Sequence, residues 1–171
     1  MTIEAMKKRR SIRRYEETAV SEEQIREILE TARVAPSWAN KQGWQIIVVR
    51  DAAKRQEVAA ILEHNPGQKA VAQAPVLIVV CVNPEESGVQ QGKEYYMADG
   101  GILMDHIMLE AADLGLGTVF IGMFDDEKVR GALGVPDPYR IVGMTPLGVA
   151  AKTPGERPAK ELDEIVHWDT W

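Results

Sequence analysis

Between Val20 and Ala35 the apolar positions recur every three or four residues. Ile25, Ile28, Leu29, Ala32 and Ala35 form one stripe, with charged residues between them. That is the period of an amphipathic helix. Ser21 with Gln24 three residues on supplies a capping box at its start, and Val20 with Ile25 a hydrophobic staple. The pattern then changes to unbroken apolar runs rich in β-branched residues, WQIIVVR (44–50) and VLIVVCV (76–82), which predict two buried strands. Between them a helix is expected over about 51–63, ending at the Asn-Pro-Gly turn 65–67. From about 95 to 114 the chain is apolar on nearly all sides, with Asp99, His106, Glu110 and Asp113 on a single stripe. This predicts one long helix, buried on most of its surface.

A short strand over about 118–121 follows, leading into a turn at Gly122. Next come a short helix from near Asp125 closed by Gly134 and another strand within YRIVGMTPLGVAA (139–151). The tail from Glu156 is too polar in its first half to be core. Helices and strands are mixed without steady alternation. The expectation is therefore an α+β fold, one central sheet with helices packed over it, in a single domain over 1–171.

The connector VAPSWANKQGW (34–44) stands out against this background. The helix before it stops at Pro36, and Ser37, Asn40 and Gln42 then lie between Trp38 and Trp44. Turn residues alone would close a helix. Hydrogen-bonding side chains and large rings placed together leave two readings, an ordinary connector or the lining of a ligand site.

Charge sharpens the reading. The formal net charge is −6, yet residues 7–14 (KKRRSIRR) hold six of the twenty basic residues and no acid, so the remainder carries 14 basic against 26 acidic residues. Such an acidic body argues against non-specific nucleic-acid binding, and a compact basic cluster on it suggests a local anion, the other reading being a solvated helix face. Arg9 and Arg13, four apart and expected on one helical face with Ser11 between them, offer two guanidinium forks and a hydroxyl, which suit a phosphate. Arg157 and Lys160 form a second basic pair in a loop bounded by Gly155 and Pro158.

Several other chemistries are set aside. The longest apolar run, 74–82, is far short of a membrane span, and the N-terminus has no apolar stretch after its basic residues, so the expected location is cytoplasmic. GLGTVF (115–120) lacks the third glycine of a dinucleotide fingerprint and precedes a strand where that motif follows one. His64, His106, His167 and Cys81 have no metal-ligand spacing, so no metal is expected. Cys81 lies inside a buried-strand pattern and reads as a structural thiol. No nucleophile–base pair stands out, so no side chain is assigned a catalytic role.

In this context RRSIRRY (9–15) resembles the N-terminal signature of the FMN-dependent nitroreductase family, and APSWANKQGW (35–44) resembles that family's polar loop. The long helix with its following turn (95–124) and the C-terminal strand and tail (146–168) are similar to the family's in the same order and spacing. The resemblance implies a mostly antiparallel sheet flanked by helices, in an intertwined homodimer with two FMN sites at its interface. By that likeness Arg9, Ser11 and Arg13, with Arg10 beside them, would hold the FMN phosphate and ribityl chain, helped by Arg157 or Lys160. Pro36, Ser37, Asn40 and Gln42 would line the flavin from the neighbouring subunit. Trp38 would either wall that pocket or pack in the interface. Ile121, Gly122 and Met123 would pass along the ring, one main-chain N–H facing its reactive nitrogen. Gly43 departs from the family, which usually has proline there.

The implied activity is ping-pong transfer of a hydride from NADH or NADPH, through the flavin, to a nitroaromatic, quinone or similar acceptor, with no nucleic acid or membrane as partner. The same fold also hosts dehalogenating and flavin-fragmenting enzymes, and a non-catalytic FMN carrier or sensor is the alternative of a different class.

Overall fold

A computed structural model describes the chain from residue 2 to residue 171; Met1 lies outside the described residues. In chain order the elements are α1 (Thr2–Lys8), α2 (Glu22–Ala32), a 3₁₀ turn (Trp38–Asn40), β1 (Trp44–Val49), α3 (Ala52–Ile61), α4 (Gln68–Gln73) and β2 (Val76–Val82). The short hairpin β3 (Val89–Gln90) and β4 (Lys93–Glu94) leads to α5 (Tyr95–Asp113), β5 (Gly117–Thr118), α6 (Asp126–Leu133) and β6 (Arg140–Gly148).

The sheet has the order β1-β2-β6-β5, and every pairing is antiparallel. β2 is central and buried along its whole length, which is why its sequence is apolar without alternation. Its side chains serve two cores. Val76, Ile78, Val80 and Val82 face the layer of α2 and α5. Leu77, Val79 and Cys81 face the layer of α3, α4 and α6. The helix α5 comes close to the sheet at Gly100, where an added Cβ would lie 2.6–2.8 Å from the Val142 side chain. The stripe expected to hold four polar residues is split. His106 and Glu110 are partly exposed and Asp113 is exposed, but Asp99 is only 3% exposed.

The capping logic holds at three helices. Ser21 and Gln24 form the reciprocal capping box of α2, Asp51 accepts from the Lys54 N–H at α3, and Asp125 accepts from the Lys128 N–H at α6. Gly134 closes α6 in the left-handed region, at φ 67°.

Three local expectations are corrected. First, residues 9–15 are not helical. The Ile12 N–H donates to the Thr118 carbonyl at 2.8 Å, the Ala151 N–H to the Arg14 carbonyl at 3.0 Å, and Tyr15 pairs with Ala150. The segment is extended because its backbone completes the hydrogen bonding of the sheet margin, and Ile12 and Tyr15 are both buried, 4% and 7% exposed. Second, the helix expected over 51–63 ends at Ile61, and a further helix, α4, follows the turn. Asn65 Oδ1 accepts the Gly67 N–H at 2.6 Å and redirects the chain, and burial of Ala70, Val71 and Ala74 holds the new helix down. Third, the strand expected over 118–121 pairs continuously only through Gly117–Thr118. The backbone then swings out so that Phe120 is exposed, and it rejoins β6 by a single bridge between Ile121 and Met144.

Candidate functional site

The extended conformation of residues 9–15 sets the geometry of the basic cluster. Successive side chains of an extended segment face opposite sides. Ile12 enters the core against Gly117, where an added Cβ would come within 2.7–2.9 Å of it. Arg9, Ser11 and Arg13 are left on the outer side. They line a cavity of about 750 Å3 together with Arg10, Lys7 and the tail segment 154–159, which includes Arg157. That volume falls in the usual range for a small-molecule site. Lys160 does not line it.

The four arginines are not equivalent. The Arg10 guanidinium donates to the carbonyls of Lys7 and Arg9 and pairs with Glu156, so its donors are already engaged within the chain. Arg13 makes one long hydrogen bond, 3.4 Å, to the Ser11 carbonyl. Arg9 and Arg157 have no side-chain hydrogen bond or ion pair among the described residues. Three under-engaged guanidiniums around one cavity repel one another and, with the Ser11 hydroxyl beside them, present donors for a multiply charged oxyanion.

Arg13 also opens a second, smaller cavity of about 200 Å3, which continues past Asn65, Pro66 and Gly67 to residues 119–123. The two cavities thus form a strip, cationic at one end and nearly neutral at the other. Ile121, Gly122 and Met123 line the neutral end. The Ile121 N–H is consumed by the Met144 carbonyl at 2.9 Å, whereas the N–H groups of Gly122 and Met123 have no hydrogen-bond partner among the described residues. Glycine at 67 permits this closeness, since a Cβ would lie 2.6 Å from the Ile121 side chain. Asn65 ties the two sides of the cavity together, its amide donating to the Met123 carbonyl. Sequence reasoning missed Asn65–Gly67, reading them only as a turn. The available signal was Asn65 itself, a residue able to donate across the cavity while accepting within its own turn.

The polar loop stands apart. Pro36, Ser37, Trp38, Asn40 and Gln42 line neither cavity. The Ser37 hydroxyl accepts the Gln42 N–H at 2.9 Å, and the Gln42 amide donates to Asn40 Oδ1 at 3.2 Å. Ala39, Asn40 and Gln42 all adopt positive φ, at 45°, 55° and 53°, and the side chains of Asn40 and Gln42 are exposed. Trp38 stacks on Tyr95 with ring centroids 4.3 Å apart and lies against Gly88, so within one chain it packs.

Elsewhere, Cys81 is 1% exposed, and burial pushes its thiol up to about 11, which makes it an inert core thiol. His106 Nδ1 lies 3.0 Å from the Ile102 carbonyl one turn back in its own helix. No group of three or more His, Cys, Asp or Glu among the described residues could hold a metal ion, and no helix is long and apolar enough to cross a membrane. The strip offers cations, backbone donors and shape.

Comparison with known proteins bears on the same residues. The nitroreductase family model matches residues 6–149, which include the arginine segment, the polar loop and the turn at Gly122 and end before Arg157. A Thermus thermophilus protein named NADH dehydrogenase is 32% identical over 192 residues, covering 94% of this chain and 92% of its own. A nitroreductase family protein from Clostridium novyi NT has a solved structure 41% identical to this chain, with a TM-score of 0.84 and coverage of 88% of this chain and 86% of that one. An FMN-dependent nitroreductase from Clostridium difficile R20291 is 28% identical, with a TM-score of 0.84 and 99% of both chains covered.

Proposed function

The chain belongs to the nitroreductase family, and from that premise we propose that it is one FMN-binding domain over 1–171 that moves electrons from NADH or NADPH to nitroaromatic, quinone or similar acceptors. That it is an NAD(P)H-dependent oxidoreductase using FMN agrees with the names of its relatives. The observation that carries the residue assignment is the strip itself. Arg9, Arg13 and Arg157 converge on one cavity, and Arg13 joins it to the neutral, glycine-lined end at 121–123.

When bound, FMN supplies the redox chemistry, taking a hydride from the nicotinamide and giving electrons to the acceptor in a separate half-reaction. The protein's part is binding and orientation. Arg9, Ser11 and Arg13 would hold the phosphate and ribityl chain, with Arg157 the tail residue placed to assist and Lys160 further out. Arg10 would keep the tail over the site through Glu156. The N–H of Gly122 or Met123 would donate to the ring, stabilising negative charge where it develops.

The polar loop is assigned to the site of a second copy of the chain. Its residues line neither cavity of their own chain, Asn40 and Gln42 face outward, and the tail leaves Leu162, Ile165, Trp168 and Trp171 strongly exposed. An intertwined homodimer accounts for all three.

The test is anaerobic stopped-flow on the FMN-reconstituted protein. Flavin absorbance is expected to bleach with NADH or NADPH and to return on addition of a nitroaromatic or quinone, with parallel reciprocal plots in steady state. A flavin that neither nucleotide bleaches refutes the oxidoreductase reading and leaves an FMN carrier.

A further inference from the structure

Asp99 sits near the start of α5, 3% exposed, and makes no ion pair among the described residues. A buried carboxylate is costly unless its oxygens are satisfied by hydrogen bonds. Here both are used. Oδ1 accepts the main-chain N–H of Trp38 at 2.8 Å, and Oδ2 accepts the Ser87 hydroxyl at 2.7 Å. Ser87 is itself buried, 5% exposed. The carboxylate thus reaches across 61 residues of sequence to grip a single amide at the base of the polar loop.

That amide lies immediately before the strained stretch. Ala39, Asn40 and Gln42 adopt left-handed backbone conformations without being glycine, and alanine gains nothing locally from doing so. Such a conformation persists only where the surroundings over-determine it. Three contacts do so here. The Ser37 hydroxyl holds the Gln42 N–H, the Trp38 ring is held between Tyr95 and Gly88, and Asp99 holds the Trp38 N–H. The second and third tie the loop to α5, and the Asp99 contact does so directly through the loop's backbone.

We propose that Asp99 is a positioning residue for the cofactor. Braced by Ser87, it fixes the Trp38 amide and so sets the left-handed turn that presents Asn40 and Gln42 to the flavin of the second chain. This rests on the assignment of that loop to the FMN site.

A double-mutant cycle between Asp99→Leu and Asn40→Ala tests it, read by FMN fluorescence titration and by visible circular dichroism of the bound flavin. Asn40→Ala alone is expected to weaken FMN binding by about fivefold, and Asp99→Leu by about tenfold, with an altered visible dichroism. Combined, the two should cost little more than Asp99→Leu alone, because Asn40 is already misplaced. Asp99→Asn keeps one acceptor oxygen for the Trp38 N–H and should restore most of the affinity. Ser87→Ala, the milder lesion if Asp99→Leu does not fold, should weaken FMN by about threefold and lose that effect in the Asn40→Ala background.

If Asn40→Ala leaves FMN binding unchanged, the loop assignment falls and the proposal with it. If Asn40→Ala weakens binding but the Asp99 and Ser87 variants lower only thermal stability, or their effects add in full to that of Asn40→Ala, the loop assignment stands and the positioning role is overturned.

Discussion

Replacing Arg9 and Arg13 together by alanine separates a phosphate cradle from an ordinary charged edge. Neither guanidinium is committed to an acid among the described residues, and both line the larger cavity. A hydrogen bond to a charged group contributes roughly 1.5–3 kcal/mol, so losing one at each position costs about 3–6 kcal/mol of FMN binding, a rise in Kd of about 10²–10⁴. Their shared ligand makes the two losses non-additive, so the lower half of that range is expected. The assay is quenching of flavin fluorescence, run in parallel with riboflavin, which has the same ring and no phosphate. The wild-type protein should favour FMN strongly over riboflavin. The double variant should bind riboflavin as well as the wild type does and lose most of the preference. Its unfolding midpoint without FMN should not fall, because the substitution removes like charges that repel one another. Arg10→Ala is the internal control. Its guanidinium is bound to two carbonyls and Glu156, so its loss should change FMN affinity several-fold at most. An FMN Kd within threefold of wild type in the double variant, or a parallel fall in riboflavin binding, would refute the phosphate assignment.

Two further expectations concern the frame that holds the site. Gly100→Ala should destabilise the protein by about 1–3 kcal/mol in urea unfolding, since its Cβ would press on Val142 at 2.6–2.8 Å and push α5 off the sheet; an unchanged midpoint would show that the helix can yield. Cys81 should give an alkaline loss of stability. The folded thiol keeps its proton up to about 11, whereas in the unfolded chain it ionises near pH 9. Between those values the unfolded state binds fewer protons, and stability falls by about 3 kcal/mol as pH rises. The contribution is complete below about pH 9. Cys81→Ala should flatten that slope, while a residual loss above about pH 10 persists through Tyr15, whose hydroxyl burial also raises.

What could be read in the sequence depended on how local its cause was. The capping box at Ser21 and Gln24, the Asp125 cap and the Gly134 stop are short-range devices, and all appear where residue chemistry places them. The central strand was legible because burial on both faces leaves an unbroken apolar run. Residues 9–15 are extended rather than helical because their conformation is dictated from outside, by backbone partners at Thr118 and Ala151. Spacing two apart serves an extended chain as spacing four apart serves a helix, so Arg9 and Arg13 share a face in either case, whereas Ser11 joins them only in the extended chain. Asn65 was invisible as a site residue for a related reason. Its role depends on the turn at Gly122 and Met123 lying beside it, the Met123 carbonyl being 58 residues away. Arg157 and Lys160, equivalent in sequence, are separated by the path of the tail.

The account stands on a site assembled from two chains, and a complementation experiment tests that most directly. One chain would carry Arg9→Ala with Arg13→Ala, the other Asn40→Ala with Gln42→Ala, each under its own affinity tag, and the mixed dimer would be isolated by tandem purification. In a shared-site dimer both lesions fall in the same pocket and the other pocket is wholly wild type. The mixed dimer should therefore regain tight FMN binding at half the wild-type stoichiometry, with matching NAD(P)H oxidation, while both parent homodimers bind weakly. A mixed dimer no better than its parents would mean that loop and cradle serve the same chain's ligand, contradicting the account.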